Sequence, residues 1–334
     1  MDALVDILLL AFLAICAIAI LRLRDLFAMA MMFGLFSLIS AGLFTTMDAP
    51  DVAFTEAAVG AGISTILILA TLAQTARREK SQKGRAVLLP LLVVWITGAV
   101  LIYGTADLPA FGDPAAPAHN HVAPHYLQVS PEEIGIPNVV AAVLASYRGF
   151  DTLGEVVVVF AAVVGVVSLI GLRRRPEGVK RNAAALSQHA VLQVIARLVV
   201  PVILLFGLYV QFHGEYSPGG GFQAGVLFAA GIILYALVFG LDSARTVIAP
   251  RVLNAMPAIG ALIFGGVGLV TLLLGGNYLD YNQLGTDPVA AQHLGIMLVE
   301  IGVGVTVASV MLVLYFTFAE RGRGKLLDSG EDEE

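Results

Sequence analysis

Nine long apolar runs leave this 334-residue chain few folds to choose from. They lie at roughly 3–21, 26–45, 52–73, 86–104, 152–172, 190–212, 222–241, 256–275 and 290–319. Each approaches the ~20 residues that cross a bilayer as a helix. At that depth every backbone N–H and C=O must be satisfied within the protein, which leaves helices and closed barrels. Barrel strands alternate apolar and polar positions over ~10 residues, whereas these runs are longer and apolar all round. The expected fold is an all-α polytopic membrane protein with about nine transmembrane helices. Composition agrees, at 58% hydrophobic and 13% charged, against ~25% charged in a soluble domain.

The connecting segments predict orientation. Taken on alternate sides, one side holds 17 Lys and Arg, and the other holds only Arg148. By the positive-inside rule the first side is cytoplasmic, which puts the N-terminus outside and the C-terminus in the cytoplasm. The first run has Asp2 and Asp6 in place of a basic segment and lacks a small-residue cleavage site, so it is expected to be retained as a helix. A net charge of -6, with acids gathered at 331–334, offers no basic surface for nucleic acid. Cys16 is the single cysteine and lies in an apolar run, which excludes an intrachain disulfide or a cysteine-built metal site.

Two basic connections divide the chain into three modules: residues 1–80 with three helices, 81–182 with two, and 183–334 with four and an acidic tail. The longest connection, 105–151, is rich in proline and expected to be a loop, with one helical turn capped by Ser130 at Ser130-Pro131-Glu132-Glu133.

Ionisable groups at bilayer depth cost ~3 kcal/mol or more, so each is a candidate for function. Glu300 is the deepest, about 15 Å along its helix from the outer boundary, with His293 seven residues earlier on nearly the same face and Gly302 and Gly304 just beyond. It reads either as a proton or cation relay or as a structural carboxylate. Glu56 precedes the small-residue run Ala57 to Gly62, which lets its helix deform or pack closely, so a gated proton site and a packing seam are both open. Glu155 and Asp6 lie nearer the outer surface. Arg197 is the only Lys or Arg inside a run and is expected to form a structural ion pair or to snorkel. His119, His121 and His125 match no metal-binding spacing and read as solvated loop histidines, so no metal is assigned. No nucleotide fingerprint or paired haem ligands are present, so no cofactor is expected.

The most unusual segment joins runs six and seven. Residues 190–319, with His213-Gly214-x-x-Ser217-Pro218-Gly219-Gly220-Gly221-Phe222-Gln223, resemble the MnhB/MrpB-like component of the Mrp-type multisubunit Na+/H+ antiporters. That family commonly has a second histidine where this chain has Glu215, and a glycine where it has Ala224. The first module, with Ala49-Pro50-Asp51-Val52-Ala53-Phe54-Thr55-Glu56-Ala57, resembles the C-terminal part of the large A-type component of the same antiporters. The second, with Gly135-Ile136-Pro137-Asn138 and Tyr147-Arg148-Gly149-Phe150-Asp151, resembles the next small module, and in membrane-bound hydrogenases both appear as separate small chains of D and E type. The resemblance implies a secondary-transporter component in the cell (inner) membrane rather than an enzyme. Its partners would be membrane lipid and other antiporter subunits, including the large proton-channel subunits. Na+ and H+ would be the transported ions. Glu56 and Glu155 would line a polar path between modules, and the glycine loop would shape an outer contact. A membrane-arm component of a redox complex such as membrane-bound hydrogenase, or a non-conducting scaffold, are the alternatives.

Overall fold

The structure, a computed structural model, describes residues 2–73, 75–80, 87–110, 112–170 and 190–328. The basic connection at 173–188, the acidic residues at 331–334 and the module boundaries near 81 and 182 lie outside these residues. The main helices are α1 (Asp2–Arg22), α2 (Leu26–Thr46), α3 (Pro50–Leu72), α4 (Leu88–Thr105), α5 (Gly149–Ile170), α6 (Ala190–His213), α7 (Gly221–Phe239), α8 (Pro250–Leu273) and α9 (Pro288–Asp328). Among the described residues these are the nine helices long and apolar enough to cross a membrane, and they match the nine runs. The chain is an all-helical, multi-pass membrane protein.

Polar groups mark the helix ends. Asp25 caps α2, its Oδ1 accepting from the N–H groups of Phe27 and Ala28, while Oδ2 accepts from Arg77 Nε at 2.9 Å. The Ala28 N–H first, and then Arg77, hold this carboxyl below the usual range. That pair ties the start of α2 to the segment beyond α3. α8 begins six residues ahead of its expected start because Pro250 serves as its first residue, where a missing N–H costs nothing.

Small residues govern the packing of α1 to α3. Ala30, Gly34, Ser37 and Ala41 form a buried stripe on α2, and Thr65 Oγ1 on α3 lies 2.6 Å from where a Cβ of Gly34 would stand. Between Ala57 and Ser64 the ladder of α3 widens to π-helical turns, directly after Glu56. The small-residue run therefore does deform its helix as well as pack.

α9 is the hub. It packs against α7 and α8, then α5, and meets the second half of α3. Two-thirds of its central window is buried (67%), whereas α4 has no buried residue. Gly302 and Gly304 permit this: a Cβ on Gly302 would meet the Gly260 carbonyl of α8 at 2.9 Å, and one on Gly304 would meet Gln211 of α6 at 2.6 Å.

The 105–151 segment is more ordered than expected. It carries short helices at Pro117–Asn120, Val122–Gln128, Ser130–Glu133 and Val139–Ala142, the last widening through Val143–Tyr147. The expected turn at 130–133 is present, but Val129 holds the cap position and Ser130 makes no cap bond. Tyr147, half-buried, donates its hydroxyl to Glu133, and burial together with that carboxylate pushes its phenol up to about 12.

Candidate functional site

The glycine loop folds back on α6. Gly220 N–H donates to the Val210 carbonyl at 3.1 Å, and Gly220 has φ of 114°, a region that side chains strongly disfavour. A Cβ on Gly221 would overlap the carbonyl of Glu300, so the first turn of α7 lies directly on the Glu300 turn of α9.

Asn138 draws the three modules together at this loop. Its Nδ2 donates to the carbonyls of Gly214 (2.8 Å) and Ser217 (3.1 Å), and lies 3.5 Å from Asp51 Oδ1. Its Oδ1 caps the next short helix, accepting from Val140 N at 3.0 Å and Ala141 N at 3.3 Å. Its own N–H donates to the Glu215 carbonyl at 2.9 Å, and Gly219 N–H donates to Asp51 Oδ1 at 3.3 Å. One amide thus links α3, the second module and the loop at this junction.

Beneath this junction lies a cavity of about 360 Å³, lined by Asp51, Thr55, Glu155, Gln223 and Glu300 with Gly219 to Gly221, and walled by apolar side chains including Phe222, Phe264 and Val303. Gln223 is buried and donates Nε2 to Thr55 Oγ1 at 2.8 Å. Glu300 Oε1 stands 3.0 Å from where a Cβ of Gly220 would be. Each module supplies one carboxylate: Asp51 from the first, Glu155 from the second and Glu300 from the third. The cavity is large enough for several waters with polar partners on its walls.

Of the residues expected from sequence the structure brings together Glu155, Glu300 and the loop residues Gly219 to Gln223, and it adds Asp51. Glu56 follows the cavity residue Thr55 but turns to α2: its Oε1 and Ser37 Oγ stand 2.7 and 2.6 Å from the position of a Gly60 Cβ. Asp6, on α1, is not among the cavity residues, and its Oδ1 is buried without a hydrogen-bond partner. His293 lies on the loop side, its Nδ1 2.8 Å from Glu215 Oε2. His213 stacks on Tyr209 and Tyr216. Arg197 has its guanidinium carbon 5.7 Å from the centroid of the Phe239 ring, a cation–π contact. Among the described residues no group of three or more His, Cys, Asp or Glu is arranged to hold a metal ion; His125 packs instead on Tyr126 and Tyr147.

Asp51, Asn138 and Glu215 escaped sequence reasoning as site residues. Each acts through contacts to distant parts of the chain, Asp51 reaching Gly219 across 168 positions and Glu215 reaching His293 across 78. The available signal was that Asp51 and Asn138 each sit at a helix start beside a proline, within the segments that carry the family resemblance.

Comparison with known proteins fits this three-part construction. Residues 191–313 match the family described as "Domain related to MnhB subunit of Na+/H+ antiporter". The putative antiporter protein mnhB2 of Staphylococcus aureus (strain Newman) is 31% identical over 127 residues, covering 35% of this chain and 89% of the relative. The chain belongs to the MnhB family. It is an MnhB-type chain with more in front, because residues 11–77 match the MbhD family and residues 99–190 the MbhE family, the D and E components of MBH. A probable K(+)/H(+) antiporter A/B chain of Rhizobium meliloti (strain 1021) is 26% identical over 281 residues, 76% of this chain and 28% of that one. In the solved Mrp complex from Dietzia sp. DQ12-45-1b, one chain superposes with a TM-score of 0.76 at 25% identity, covering 93% of this MnhB-type chain and 34% of its own length. This chain therefore spans about a third or less of the two larger proteins it matches.

Proposed function

We propose that this MnhB-type chain is a membrane subunit of a multisubunit cation/proton antiporter, docked to further subunits that include large proton-channel subunits, and that its three-module cavity forms part of a proton or cation path. The observation that carries this reading is the meeting of Asp51, Glu155 and Glu300, one carboxylate from each module, around one cavity. Carboxylates gathered beside side-chain oxygens and room for water are suited to exchanging protons or a hard cation, and Glu300, the deepest by sequence, is the one whose placement would cost several kcal/mol. By this reading Glu56 and Asp6 act at separate positions along α3 and α1. Na+ is the cation the family description names, and the resemblance carries it here as an expectation.

The test is ion exchange by the assembled complex in vesicles. Glu300→Gln keeps the shape and removes the titrating group, and exchange is expected to fall at least tenfold while the complex still assembles. Full exchange would assign the cavity a scaffold role. A second reading, the membrane arm of a redox-driven pump, is compatible with the matches to the MbhD and MbhE families without being favoured by them. Mass spectrometry of the gently solubilised complex separates the two: large antiporter chains alone support the exchanger, and copurifying iron–sulfur or nickel proteins support the redox complex.

A further inference from the structure

The Glu215–His293 pair lies beside the glycine loop that lines the cavity, without lining the cavity itself. Glu215 belongs to the loop between α6 and α7, and His293 to the second turn of α9, and their side chains keep 15% and 30% exposure. The pair is thus reachable by water yet held by structure: Glu215's carbonyl accepts from Asn138 N–H, and His293 stands on the same helix as Glu300, seven residues away. That separation is about 10 Å along the axis, a gap spanned by a file of about three waters at hydrogen-bond spacing.

The other titratable groups around the pair are differently employed. Asp51 accepts from Gly219 N–H, Asp287 caps α9 through Val289 N–H at 3.1 Å, His213 stacks between two tyrosines, and Tyr281 donates its hydroxyl to the Ala145 carbonyl at 2.8 Å. Burial first, then Tyr278 and Glu300, raise the Tyr281 phenol above its usual range, so it remains a donor. Glu155 and Glu300 line the cavity itself.

We propose that Glu215 and His293 form the proton-exchange mouth of the cavity on the loop side, which the distribution of Lys and Arg makes the outside. This rests on the reading of the cavity as an ion path. A proton from bulk water binds the Glu215 carboxylate, crosses to Nδ1 of His293, and a proton leaves Nε2 to the water file leading to Glu300. An imidazole performs both halves because its two nitrogens alternate as acceptor and donor.

The experiment uses the whole complex in vesicles with pH varied separately on each side. Glu215→Gln and His293→Gln are each expected to slow exchange at least fivefold and to flatten its dependence on loop-side pH, leaving the dependence on the opposite side unchanged. Glu215→His, which restores a titratable group, is expected to recover most of the rate. As a readout independent of transport, carbethoxylation of His293 followed by mass spectrometry is expected to run severalfold faster in Glu215→Ala, which removes the partner of Nδ1. Unchanged carbethoxylation overturns the pair. Faster carbethoxylation with an unchanged loop-side pH profile overturns its role in proton uptake, as does failure of Glu215→His to recover what Glu215→Gln loses in a normally assembled complex. Full exchange by Glu300→Gln would instead overturn the cavity reading, so the two failures are distinguishable.

Discussion

Asn138 shows how much one neutral side chain can hold. Its amide satisfies two loop carbonyls and its oxygen satisfies two helix N–H groups, with 9% of the residue exposed. Asn138→Ala leaves these groups without partners in a place water reaches poorly, at a cost of about 2–4 kcal/mol. Asn138→Asp keeps the cap but replaces the donor with a second carboxylate facing Asp51 and two carbonyls. The expected order of apparent unfolding temperature in the purified complex is therefore wild type, then Ala, then Asp, although Asp is the closer match in shape. An Asp variant at least as stable as wild type would mean that the cap matters and the donation to the loop does not.

At the scale of elements, close approach of glycine faces decides what α7 and α9 can do. Gly221→Ala would drive a methyl group into the Glu300 carbonyl, so it is expected to separate the two helices and abolish recovery of the assembled complex. Gly266→Ala, on α8 with open space around it, is the control; it is expected to leave assembly intact and to gain up to ~1 kcal/mol of helix propensity. Equal recovery of the two variants, read on a native gel, would refute the close-contact role. The helices themselves were legible in the sequence because an apolar run of spanning length has few other uses. Their neighbours were less so. Gly260, Gly265 and Gly268 announce a seam on α8, but only the fold shows that Gly260 faces α9 and the other two face Tyr278 within the same chain. Apart from the turn at 130–133, the proline-rich segment hid its short helices because four to seven residues carry too little periodicity to read. Glu300 was legible through its depth, whereas Asp51, Asn138 and Glu215 become site residues only once three modules are folded against one another.

For the whole molecule, the burial pattern and the charge pattern address different questions. α7 and α9 are the most enclosed spans, at 56% and 67%, while α1 and α4 present nearly all of their side chains outward at 6% and 0%. The apolar shell of α1 and α4 is thus suited to lipid or a neighbouring protein chain, and the polar junction near Asn138 lies at the end of the bundle bearing the 105–151 segment. The positive-inside rule predicts that this end is outside, where the proposed mouth at Glu215 and His293 would then open. The single native cysteine makes this directly measurable, because Cys16 is buried and gives little background labelling. In intact cells, a membrane-impermeant maleimide is expected to label Ala118→Cys, at an exposed position in the 105–151 segment, and to leave Glu79→Cys unlabelled until the membrane is permeabilised. The reverse pattern would turn the molecule over. The cavity would keep its geometry, but the Glu215–His293 pair would then exchange protons with the cytoplasm, and the predicted pH dependence would move to the other side of the membrane.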